Sequence, residues 1–158
     1  MRIGVYAGSF CPVTCGHVDA IQKASRLVDK LYVVMGVNAN KQYQIPSNVR
    51  LDMLKLALNG LNNVEVVSFD GMMTDFCKQV NATVMIKSIR NAMDLQSVID
   101  IADINDNFWD GETVFVVGSK KYRHISSSVV RELAGLKQDF SQYVPDCCLD
   151  TITKYLVK

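Results

Sequence analysis

Five short β-rich runs, Ile3–Tyr6, Leu31–Val37, Val64–Val67, Thr83–Ile86 and Thr113–Val117, alternate with stretches of helical spacing. That alternation constrains the chain more than any other feature. Parallel strands cannot be joined by tight turns, so each helical stretch becomes a right-handed crossover between neighbours in one sheet. The uninterrupted apolar runs Tyr-Val-Val-Met and Val-Phe-Val-Val predict strands buried on both faces, as parallel sheets require. Between them, Val18, Ile21, Ala24, Leu27 and Val28 recur at three- and four-residue steps. Val49 to Leu58 and Met72 to Val80 do so less cleanly, and Leu95, Val98, Ile99, Ala102 and Ile104 form another apolar face. Two further helices are expected over Ser127–Leu136 and Cys147–Leu156. The reading is α/β: a doubly wound five-stranded parallel sheet with helices on both faces, and a single domain over 1–158.

Composition removes several functions. Seventeen Lys and Arg against sixteen Asp and Glu leave a formal charge of +1, which argues against nucleic acid or an anionic membrane as partner. No apolar run approaches the length of a membrane span, and no signal-peptide pattern follows Met1-Arg2, so a cytoplasmic protein is expected. Five cysteines make no even, spaced disulfide framework, and the adjacent Cys147 and Cys148 are expected to pack rather than pair. Cys11, Cys15 and His17 are one ligand short of a structural zinc site, so no protein-bound metal is expected.

In an open parallel sheet, ligands bind at the carboxyl ends of the strands. The segment after the first strand, Ala7-Gly8-Ser9-Phe10-Cys11-Pro12-Val13-Thr14-Cys15-Gly16-His17, leads into a helix. Gly8 is suited to a sharp turn there. His17 stands at the helix N-terminus, where free N–H groups and the macrodipole favour an anion and lower an imidazole's pKa. Both common nucleotide fingerprints, G-x-G-x-x-G and G-x-x-x-x-G-K-[ST], are missing. After the fifth strand comes Ile125-Ser126-Ser127-Ser128-Val129-Val130-Arg131, whose hydroxyls can cap a helix and also serve a polyphosphate. Lys41 follows the second strand, and Lys87-Ser88-Ile89-Arg90 follows the fourth. These cations share one rim with His17 and would focus a positive field on a single cleft.

Thr14-Cys15-Gly16-His17 resembles the T-x-G-H signature of the nucleotidyltransferase superfamily, and Ile-Ser-Ser-Ser-x-x-Arg resembles its second signature. With both in order, the chain resembles the bacterial phosphopantetheine adenylyltransferase family almost end to end, which implies a Rossmann-like nucleotidyltransferase fold. The resemblance implies in-line attack of 4′-phosphopantetheine on the α-phosphorus of ATP, releasing pyrophosphate and giving dephospho-coenzyme A, with Mg²⁺ accompanying ATP. It implies that His17 binds the ATP phosphates and stabilises the transition state, and that Ser9, Lys41, Met73 and Lys87 meet the acceptor. ATP would be held by Ser9 with Phe10, by His17, by Ser88, Ile89 and Arg90, and by Tyr122, Arg123, His124, Ile125, Ser126, Ser127 and Ser128. A homohexamer is also implied. Cys11 stands where the family usually has Asp, Lys87 where it has Arg, and Val98 where it has a glutamate. Another adenylyl- or cytidylyltransferase of the superfamily, or a nucleotide-binding regulator with weak turnover, are the alternatives.

Overall fold

The computed structural model describes all residues from Met1 to Lys158. Five strands, β1 (Ile3–Gly8), β2 (Lys30–Gly36), β3 (Val64–Phe69), β4 (Val84–Ile89) and β5 (Glu112–Val117), form one sheet in the order β3-β2-β1-β4-β5. Every pairing is parallel. The crossovers are α1 (Cys15–Ser25), α2 (Ser47–Ala57), α3 (Met73–Gln79) and α4 (Ala92–Asn105), and α5 (Ser127–Gly135) and α6 (Leu149–Leu156) follow β5. Strand order reverses at β1, whose neighbours are β2 and β4, so the loops after β1 and β4 open onto the switch point.

The period of two along each strand divides the interior. Tyr6, Val33, Met35, Val84 and Ile86 face one core, which α1, α2, α5 and α6 cover with Ile21, Leu54, Val130 and Ile152. Their sequence neighbours Val5, Val34 and Met85 face a smaller core of seven buried residues closed by Phe76, Cys77 and Trp109.

Three expectations are corrected. The run Val114–Val117 is not buried on both faces: β5 is an edge strand, and Val114 and Val117 are exposed. The apolar face of α4 does not enter the core, since Ile99, Ile101 and Ile104 are exposed and only Asn105 of that helix is buried. The Cys147–Leu156 segment begins as a 3₁₀ turn over Asp146–Cys148, with Cys148 buried but Cys147 exposed; neither is in a disulfide.

Candidate active site

The T-x-G-H segment works first as a helix start. Thr14 is the N-cap of α1: its Oγ1 accepts the His17 backbone N–H at 3.3 Å, and the Thr14 N–H donates to His17 Nδ1 at 3.0 Å. This is a capping box with imidazole in the place usually taken by Glu or Gln. The box fixes the tautomer. Burial, and secondarily the Arg90 charge, push the His17 pKa down to about 4, so the ring is neutral at pH 7. With Nδ1 accepting, the single ring proton resides on Nε2. Phe10 supports the ring edge-on, with centroids 5.0 Å apart. The left-handed residue of this turn is Phe10 (φ 47°), not Gly8; Gly8 instead lies against the Phe10 ring, where an added Cβ would come within 3.1 Å. A non-glycine residue held at positive φ is strain that the buried Phe10 ring's packing maintains.

A cleft of about 400 Å³ opens over this turn. The loops after β1, β4 and β5 all contribute to it. From the sequence-derived set, Ser9, His17, Lys87, Ser88, Arg90, Tyr122, Ile125, Ser126, Ser127 and Ser128 line it. Outside the lining, Phe10 is buried beneath it, Ile89 lies at the end of β4, and Arg123 and His124 are exposed beside it. Lys41 is exposed in the loop between β2 and α2, and Met73 begins α3 against the smaller core.

The cleft is strongly cationic although the chain is nearly neutral. Lys87, Arg90 and Arg131 face a single carboxylate, Asp94. Arg90 Nε and Nη2 donate to Asp94 at 2.9 and 3.2 Å, and the guanidinium holds that carboxyl below the usual range. Arg90 Nη1 donates to the Ile125 carbonyl at 3.1 Å, which joins the β4 loop to the serine motif. Lys87 has no ion-pair partner, and burial lowers its pKa. An ammonium left desolvated and unpaired is costly unless an anion completes it.

The serine motif also has structural work. Ser126 caps α5 by accepting the Val129 N–H at 3.2 Å, and Ser127 donates to the Pro12 carbonyl at 2.7 Å. Arg131 donates to the Cys11 carbonyl at 2.6 Å and to Ser128 Oγ at 3.2 Å. The serine motif is thus bolted to the turn that leads into T-x-G-H, across more than a hundred residues. Asp19 accepts from the backbone N–H and hydroxyl of Ser119 at 2.9 and 2.6 Å and pins the β5 loop to α1. Burial raises its pKa, but the Ser119 bonds and Lys23 outweigh it, leaving Asp19 a more willing carboxylate than usual.

Sequence reasoning missed Arg50. It is 1% exposed on α2, and its guanidinium reaches the turn that carries Ser9. No periodicity distinguishes it from an ordinary surface arginine.

The cytidylyltransferase-like family model matches residues 5–133, which include both signatures and every loop of the cleft. The chain is a nucleotidyltransferase of that family. A phosphopantetheine adenylyltransferase from Streptococcus pneumoniae is 42% identical over 153 residues, 96% of this chain and 94% of that protein. One from Bifidobacterium longum is 38% identical over 160 residues, covering 100% and 96%. One from Clostridium beijerinckii is 38% identical over 147 residues, covering 92% of each. Within its class, the chain belongs to the phosphopantetheine adenylyltransferases.

Proposed function

We propose that this chain transfers the adenylyl group of ATP to the phosphate of 4′-phosphopantetheine, giving dephospho-coenzyme A and pyrophosphate. The observation that carries the reading is the single cationic cleft at the switch point, lined by both signatures and by an unpaired Lys87. Such a cleft suits two anions held side by side.

A phosphate monoester is a competent nucleophile at neutral pH, so the reaction needs alignment and charge stabilisation more than proton transfer. The acceptor phosphate attacks the α-phosphorus in line; the bond to the bridging oxygen of pyrophosphate breaks, and pyrophosphate carries away the electron pair. Lys87, Lys41 and Ser9 hold the acceptor, with Met73 on its apolar arm. Arg90 and the Ser126–Ser128 segment take the ATP phosphates, and Tyr122 to Ile125 flank the adenosine. His17 donates its Nε2 proton as a hydrogen bond to the phosphate oxygens as their charge shifts, and a neutral donor does this without itself being transferred. Mg²⁺ enters as part of the MgATP substrate on phosphate oxygens and water; the one carboxylate of the cleft, Asp94, is already engaged by Arg90.

No helix is long and apolar enough to cross a membrane. We place the enzyme in the cytoplasm, acting on small molecules rather than on nucleic acid or membrane. The exposed apolar residues of α4 and β5 support self-association, which we take to be a homohexamer. The test is pyrophosphate release from MgATP with 4′-phosphopantetheine, nicotinamide mononucleotide or no acceptor. Release with phosphopantetheine alone is expected; ATP binding without release for any acceptor would overturn the reading.

A further inference from the structure

Arg50 is the largest wholly buried side chain and carries a full positive charge. None of the ion pairs in the molecule includes it. Its partners are neutral: Nη1 donates to the Ser9 carbonyl at 2.6 Å, Nε donates to the Ile45 carbonyl at 3.1 Å, and the guanidinium lies 4.0 Å from the centre of the Tyr43 ring. A buried, carboxylate-free arginine is an expensive way to hold a helix in place, since a well-packed apolar residue would do so at lower cost. What a guanidinium alone provides is a rigid planar fork that bonds in two directions while its face rests on an aromatic ring.

The two directions are informative. One prong holds the turn after β1, the other the end of the loop between β2 and α2. The first carries Ser9 into the cleft, and the second carries Lys41 on an exposed stretch that is anchored inside only at Val37, Tyr43 and Ile45. Two of those three anchors are Arg50 contacts. We propose that Arg50 is a positioning residue that sets the spacing between Ser9 and Lys41, and so the seat of the acceptor phosphate. This rests on the proposed acceptor reaction. Arg50 does not line the cleft, so it acts through the two loops rather than on the substrate.

Arg50→Lys keeps the charge and removes the fork; Arg50→Met is the second variant, which keeps the length without charge. A misplacement of about 1 Å can cost about 10²-fold in rate. For Arg50→Lys the acceptor KM should rise and kcat/KM for the acceptor fall about 10²-fold, while the ATP Kd moves less than about threefold, because Arg90 and the serine motif are untouched. Adding Lys41→Ala to Arg50→Lys should cost little beyond Arg50→Lys alone. Limited trypsin digestion supplies a readout independent of turnover: cleavage after Lys41 should accelerate in the folded variants. The proposal is overturned if either folded variant keeps the wild-type acceptor KM and loses activity only with its folded fraction. It is equally overturned if the Lys41 and Arg50 losses are additive, or if cleavage at Lys41 is unchanged. If wild-type enzyme makes no dephospho-coenzyme A, the reaction assignment fails by itself, and the trypsin experiment alone still decides the clamp.

Discussion

His17 has two separable tasks, and substitution can split them. Its Nδ1 completes the capping box of α1, while its Nε2–H is the donor available to substrate. His17→Ala removes both. Thr14 Oγ1 still caps the helix, so loss of the reciprocal bond to the Thr14 N–H should cost about 1 kcal/mol of stability at pH 7. Loss of a donor aimed at developing charge should lower kcat about 10²–10³-fold, whereas a neutral ground-state hydrogen bond accounts for only about tenfold in ATP affinity. His17→Gln restores an acceptor at the capping position, so stability should return while turnover stays depressed. The pH dependence gives an independent check. The folded pKa of about 4 lies below the ordinary 6.5, so between these values the unfolded chain binds more protons. The contribution is fully present above about pH 6.5 and is lost as pH falls toward 4. At pH 5 the unfolded chain has gained about 2 kcal/mol from this group alone. Denaturant titrations of wild type and His17→Gln from pH 4 to 8 should converge with that slope difference, and pyrophosphate release with calorimetric ATP binding gives the kinetic split. Equal losses in kcat and ATP affinity would refute the charge-stabilising role. A histidine titrating near 6.5 by ¹⁵N NMR at this position would refute the lowered pKa, and ¹⁵N shifts of a proton on Nδ1 in the neutral ring would refute the tautomer.

Other perturbations test other parts of the cleft. Lys87→Arg replaces a point charge by a fork and should lower the acceptor KM up to about tenfold. Because burial depresses the Lys87 pKa, wild-type acceptor KM should rise at alkaline pH sooner than an ordinary lysine would allow, and Lys87→Arg should abolish that rise; the same pH profile in both would contradict it. Asp94→Asn frees Arg90 and should weaken ATP binding about tenfold, with less than about 1 kcal/mol of stability lost because the pair is partly exposed. The stability this pair gives is present above the ordinary aspartate pKa and disappears as pH falls through the lowered one, which acid titration of both proteins would reveal. Ile104→Glu with Val117→Glu should reduce the sedimenting mass while leaving far-ultraviolet circular dichroism intact; an unchanged mass would remove α4 and β5 from the interface.

The alternation of β runs and helical spacing made the sheet legible, because parallel strands and their crossovers leave strong periodic marks. The strand ends were less legible: β1 runs on through Ala7 and Gly8 and β4 through Lys87 and Ser88 to Ile89, beyond the apolar runs, because Ala7, Gly8, Lys87 and Ser88 line the cleft rather than the core. Run length could not separate the edge strand β5 from a central strand, since an exposed apolar residue and a buried one read alike. The same ambiguity governs α4, whose apolar face has the periodicity of a core helix but no core to enter. Among the site residues, the signatures were visible as local strings. Arg50 was invisible because its meaning comes from carbonyls at Ile45 and Ser9, the second 41 residues away.

Those carbonyls point to how the site tolerates change around its centre. Arg50 grips Ser9, Ser127 grips Pro12, and Arg131 grips Cys11, each through a main-chain oxygen. A carbonyl is supplied by any residue, so the turn after β1 is held in shape whatever side chains it bears. Cys11 illustrates the consequence. It stands where the resemblance implies an acidic residue, yet it is 3% exposed and packs in the larger core, while its carbonyl meets Arg131. Substitution there leaves the three clamps intact. Substitution of a clamp residue is different: it leaves a main-chain carbonyl without its donor and frees the backbone at Ser9, in the case of Arg50, or at Cys11 and Pro12, in the case of Arg131 and Ser127. Sensitivity in this turn should therefore follow Arg50, Ser127 and Arg131 rather than the residues between Phe10 and Val13, and a scan of kcat across both sets distinguishes the two patterns.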